Sequence, residues 1–136
     1  QQAVLDRALE GLKTRDLMSR DVITVGPDTS ISELKDLMMT KRHLGYPVVS
    51  GEEILGIVTL EDLQKAESPD TPVREVLTPE VMMIRENSSA SDAIHRMMRK
   101  DLGRLIVTDE AGAMVGIISR TDLMNAIKIV TRAPGS

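Results

Sequence analysis

Cysteine, tryptophan and phenylalanine are all missing from the 136 residues, and Tyr46 is the only aromatic side chain. Without thiols there are no disulfides and no thiolate metal sites, and a reducing cytoplasm suits such a chain. The two histidines give tetrahedral zinc no ligand set. Nucleic acid needs a basic face and usually aromatic platforms, and a net charge of −4 with one tyrosine supplies neither. No apolar run approaches the roughly 18 residues of a membrane span, and no basic start followed by an apolar stretch suggests a secretion signal. The expected location is therefore the cytoplasm, or the cytoplasmic part of a membrane protein. Neither G-x-G-x-x-G nor G-x-x-x-x-G-K-[ST] occurs, so no phosphate-wrapping loop is expected. No Ser/His/Asp arrangement or isolated carboxylate pair stands out, which points away from an enzyme and from a catalytic cofactor.

Apolar residues make up 41% of the chain, enough for a modest core. Nine methionines, with adjacent pairs at Met38-Met39, Met82-Met83 and Met97-Met98, take the filling role of the missing aromatics. Ala3, Val4, Leu5, Ala8, Leu9 and Leu12 lie on one helical face, so residues 1–13 are expected to form a linker helix leading from an upstream domain. Residues 131–136 read as a disordered tail.

A duplication organises everything between. Arg15-Asp16-Leu17-Met18 matches Arg74-Glu75-Val76-Leu77, and Tyr46-Pro47-Val48-Val49 matches Leu105-Ile106-Val107-Thr108, both 59 residues apart. One residue is then inserted, so Gly56-Ile57-Val58-Thr59-Leu60-Glu61-Asp62 aligns with Gly116-Ile117-Ile118-Ser119-Arg120-Thr121-Asp122. The first repeat spans 14–66, a Ser/Pro/Asp linker 67–72, and the second repeat 73–130. Within the first, Val22 to Val25 reads as a strand, and Gly26-Pro27-Asp28-Thr29-Ser30 breaks it and caps a helix. That helix buries Ile31, Leu34, Leu37 and Met38 and shows Glu33, Lys35, Asp36 and Lys41 to water. A hairpin over 46–49 and 54–59 and a short closing helix over 60–66 complete the unit. Each copy is too small to hold a comfortable core alone. The expected class is α+β, with two β-α-β-β-α copies packed sheet to sheet about a pseudo-twofold axis and a cleft between them.

Each copy ends a strand on a hydroxyl with an aspartate three residues on: Thr59 and Asp62, then Ser119 and Asp122. The plain reading is a capping box, which satisfies orphan N–H groups for roughly 1 kcal/mol. The chemical reading is a nucleotide grip. A helix start with a hydroxyl and an arginine suits phosphate, and a carboxylate can accept hydrogen bonds from two ribose hydroxyls.

The ordered motifs "RDLM" and "REVL", "YPVV", "GIVTLED" and "GIISRTD" resemble a tandem pair of CBS domains, or Bateman module, named after cystathionine beta-synthase. The resemblance covers about residues 14 to 130. It implies a regulatory ligand, AMP, ADP, ATP or S-adenosylmethionine, bound between the copies and signalling its presence to an attached domain. In that pattern the closing aspartate binds ribose, and Ser/Thr and basic side chains approach phosphate. The main site then comprises Arg104, Ile117, Ser119, Arg120, Thr121 and Asp122, with the base held by Met18, Asp21, Ile23, His43, Leu44 and Gly45. A second, weaker site would use Met82, Leu102, Thr59 and Asp62, because Gly45 stands where the other copy has Arg104, and Leu60-Glu61 replace Arg120-Thr121. Arg104 has a competing role as a surface partner of Asp101 or Asp109. The resemblance further implies a homodimer through helices, with Met38, Met97 and Met98 as candidate contacts, and an attached enzyme or channel such as a site-2-protease-like membrane metalloprotease. The alternative function is a dimerisation module with no nucleotide.

Overall fold

The computed structural model describes residues 6–100 and 103–132. The expected linker helix over 1–13 lies partly outside them; residues 6–8 are helical, and Leu9 is buried. The elements in order are α1 (Thr14–Leu17), α2 (Ile31–Lys41), β1 (Gly45–Ser50), β2 (Glu53–Thr59), a 3-10 helix (Leu60–Lys65), a 3-10 turn (Val73–Glu75), β3 (Met83–Arg85), α3 (Ala90–Lys100), β4 (Arg104–Thr108), β5 (Met114–Ser119) and α4 (Arg120–Thr131). The mixture is α+β, as the pattern implies. No helix among the described residues is long and apolar enough to cross a membrane.

Two compact units form, one from residues 23–81 and the other from 1–22 with 82–136. They are offset from the sequence repeats, because the segment that opens each repeat closes the unit of the other copy. In the first unit β1 and β2 form an antiparallel hairpin with Tyr46 opposite Val58. The expected strand at 22–25 reduces to a single parallel bridge, Val25 to Val48, because Gly26-Pro27 turns the chain away at once. Ser30 caps α2 in a reciprocal box with Glu33, as its sequence requires. The core gathers Val25, Ile31, Leu34, Met38, Tyr46, Val48, Val58, Val73 and Val76.

The second unit has a three-stranded sheet in the order β3-β4-β5, parallel then antiparallel. Its core holds Leu9, Met18, Ile84, Ala90, Ala93, Ile94, Met97, Leu105, Val107, Ile118 and Leu123. The N-terminal segment is bound in by Thr14, whose N–H and hydroxyl both donate to Ser88 O, at 2.7 and 2.8 Å. Asp6 accepts from the Ser91 hydroxyl at 2.8 Å and lies 3.5 Å from His95 Nε2.

Two of the three methionines expected on a dimer face are core residues instead. Met38 and Met97 share the inward stripe of their helices, Met38 with Ile31 and Leu34, Met97 with Ala90, Ala93 and Ile94. Met98 is the one left outside, 68% exposed.

Candidate functional site

β5 runs straight into α4, and Ser119 at the junction has extended backbone, as an N-cap requires. The Ser119 N–H donates to Asp122 Oδ2 at 2.8 Å, and the Asp122 N–H donates to Ser119 Oγ at 3.2 Å. The plain reading is thus realised: Ser119 and Asp122 form a capping box. Asp122 remains half-buried, and Thr121 and Arg120 are exposed. Arg104 opens β4 directly across from Ser119. The loop before it is held to the helix start by the Arg120 N–H, which donates to Gly103 O at 3.3 Å.

Met18 and Ser19 approach from the other side. Ser19 and Ile117 exchange both main-chain hydrogen bonds, at 2.9 and 3.0 Å. The Met18 thioether lies against Gly116, where a Cβ would have Met18 Cγ at 2.8 Å and Ser19 O at 2.9 Å. The fold therefore gathers Met18, Arg104, Ile117, Ser119, Arg120 and Asp122 in one unit, with Thr121 in the first helical turn. Asp21, exposed, follows three residues after Met18 in the same unit. Ile23, His43, Leu44 and Gly45 belong to the other unit. There His43 lies edge-on to Tyr46, with ring centroids 6.4 Å apart, and Gly45 pairs with Thr59. Burial pushes the Tyr46 phenol pKa up, partly offset by a backbone hydrogen bond at His43. Of the two surface partners considered for Arg104, Asp101 lies outside the described residues, and Asp109 Oδ1 is engaged by the N–H groups of Ala111 and Ala113.

The first mouth has the same sequence pattern and a different outcome. Asp62 is buried, 4% exposed, and every hydrogen bond it makes is internal. Its Oδ2 accepts the Thr59 N–H at 2.9 Å and the Thr59 hydroxyl at 3.1 Å, while Oδ1 takes the Lys65 ammonium at 2.7 Å and the Thr78 hydroxyl at 3.3 Å. Sequence reading missed Lys65 and Thr78. The signal was present in the duplication, since Thr78 is the counterpart of Ser19 and Lys65 that of Asn125, so only the first copy carries a cation one turn after its aspartate. Met82, assigned to the same weaker site, is half-buried and presents its carbonyl to the Ile106 N–H at 3.0 Å; Leu102 lies outside the described residues.

This difference has a stability consequence. Asp62→Ala removes a buried carboxylate that accepts from Thr59, Thr78 and Lys65, and it is expected to cost about 2 kcal/mol, read as a lower urea midpoint. Asp122→Ala removes one cap and is expected to cost about 1 kcal/mol. Equal costs would contradict the assigned difference between the two mouths.

The CBS domain family model matches residues 15–69 and 73–129. The chain is 31% identical over 117 residues to inosine-5'-monophosphate dehydrogenase of Methanocaldococcus jannaschii, covering 85% of this chain and 24% of that protein. It is 29% identical over 126 residues to a zinc metalloprotease of the same organism, covering 93% and 35%. The chain thus spans about a quarter to two fifths of the curated relatives' length. Among solved structures, CBSX2 in complex with AMP superimposes with a TM-score of 0.78 at 25% identity, over 90% of this chain and 100% of that one. With both repeats matched and the same fold in its structural neighbours, the chain belongs to the CBS domain family and is a tandem CBS pair.

Proposed function

We propose that this pair is a non-catalytic sensor of an adenosine-containing ligand, AMP foremost, and that the ligand is held at the mouth built from Arg104, Ser119, Arg120, Thr121 and Asp122. The observation that carries this reading is the contrast between the two aspartates. Asp62 is saturated from within, whereas Asp122 is half-buried, spends Oδ2 on its cap and has Asn125 where the other copy has an ammonium. Two guanidinium groups at the same helix start suit a phosphate. The likeness to CBSX2, solved with AMP, supports the choice of ligand. Ile117, half-buried, offers apolar surface for the base; Met18 is packed into the core against Gly116, and its assignment, like that of Asp21, Ile23, His43, Leu44 and Gly45, rests on the sequence resemblance. The Asp62 mouth, with Thr59 and Met82, is the weaker site.

Occupancy acts on an attached domain only through differential affinity for two arrangements of the pair. The relatives, a dehydrogenase and a metalloprotease several times longer than this chain, make an attached domain and a cytoplasmic setting part of the proposal. AMP at about 100 times its dissociation constant should raise unfolding stability by about 2.7 kcal/mol. Thermal melts with AMP, ADP, ATP and S-adenosylmethionine rank the ligands; no shift with any of them overturns the reading. The exposed side chains of Met98, Met124 and Ile129, 53–71% accessible, favour the second reading, a dimerisation module. Light scattering separates the two: a dimer of constant mass that no nucleotide stabilises supports the second alone.

A further inference from the structure

At the opposite end of β4 from Arg104, the second unit has a cavity of about 260 Å³ between the β3–α3 loop and the β4–β5 hairpin. Arg85, Glu86, Ser88, Thr108, Asp109 and Glu110 line it. Four residue steps of strand separate Arg104 from Thr108, about 13 Å, so this is not the helix mouth described above.

Thr108 is the telling residue. It sits at the end of the central strand, is 5% exposed and lines the cavity, and among the described residues its hydroxyl has no hydrogen-bond partner. No buried side-chain oxygen or nitrogen among the described residues lacks a partner, so this hydroxyl is open to solvent and available to a ligand. The counterpart in the first copy is Val49, and the counterparts of Arg85, Glu86 and Glu110 are Gly26, Pro27 and Gly51. The charged residues of the lining are therefore peculiar to the second copy, whereas Ser88 has a polar counterpart in Thr29. Arg85, exposed, makes no side-chain hydrogen bond or ion pair among the described residues.

We propose that this cavity binds a single L-α-amino acid, its carboxylate on the Arg85 guanidinium and the Thr108 hydroxyl, its ammonium against Glu86 and Glu110. A guanidinium recognises a carboxylate through paired hydrogen bonds. Three carboxylates to one guanidinium in the lining repel a phosphate or any pure anion, and they demand a ligand that also carries positive charge. Asp109 contributes charge only, since its Oδ1 holds the hairpin turn. The volume suits one amino acid and falls below that of sites for drug-sized ligands. The same charge balance places basic amino acids first and acidic ones last.

The test is a titration followed by amide NMR on the intact chain, with L-lysine, L-arginine, L-serine and L-glutamate as probes and acetate and methylamine as controls. Saturable shifts at Thr108 and Arg85, strongest with the basic amino acids, are expected. Arg85→Gln and Thr108→Val should each weaken them at least tenfold with an unchanged melting temperature, and Asp122→Asn should leave them intact. No saturation with any probe, equal shifts from acetate or methylamine, or undiminished affinity in a folded Arg85→Gln protein overturns the proposal.

Discussion

Gly56→Ala is expected to lower the unfolding free energy by about 3 kcal/mol, at the upper end of what overpacking costs. A Cβ at this position would run into Thr78 O, with Leu77 Cδ1 at 2.9 Å and Pro79 Cα at 3.0 Å. The obstacle is backbone that cannot give way freely, because Ile57 and Thr78 exchange both main-chain hydrogen bonds, at 2.9 and 2.8 Å. Relieving the clash opens that bridge and forfeits about 1 kcal/mol for each bond, in addition to the strain. It also moves Thr78 away from Asp62, which loses one of its four donors. Gly116→Ala is the internal comparison. Its principal obstacle is the Met18 side chain, a flexible thioether that can swing aside, so a loss of about 1 to 2 kcal/mol is expected. Urea denaturation of the two variants should therefore rank them Gly56→Ala below Gly116→Ala. The reverse order would mean that the Thr78 bridge is softer than its two hydrogen bonds imply.

The duplication was legible because both copies must solve one packing problem. Gly56 and Gly116 each lie under a crossing segment, and each strand delivers a hydroxyl to a helix start. Periodicity likewise found α2 and its Ser30 cap. What it could not show is which partner each segment chooses. Residues 14–19 read as the opening of the first repeat, and they pair instead with Ser88 and Ile117 of the second. Strand patterns are blind to this, since apolar alternation fixes a face and says nothing of the neighbour. The methionines show the same limit. Adjacent Met97 and Met98 are alike as residues, yet a turn of 100° per residue sends one into the core and the other into water. At the mouths the motif was visible and its chemistry was not, because the fate of Asp62 is decided by Thr78, sixteen positions away, as well as by its neighbour Lys65.

The other large effect concerns affinity. Asp122→Asn keeps an oxygen that can accept the Ser119 N–H, so the helix start survives, and it removes the charge that would strengthen two ribose hydrogen bonds. Hydrogen bonds to a charged group contribute about 1.5–3 kcal/mol, so AMP should bind on the order of thirtyfold more weakly. Asp62→Asn changes a carboxylate already enclosed by protein donors and should leave the principal affinity alone.

Isothermal calorimetry of AMP against the parent chain, Asp122→Asn and Asp62→Asn bears most directly on the identity of the gripping carboxylate. Saturable heat that persists in Asp62→Asn and fades about thirtyfold in Asp122→Asn is the predicted outcome. Undiminished binding by a folded Asp122→Asn protein would contradict it, leaving that side chain as a helix cap and nothing more.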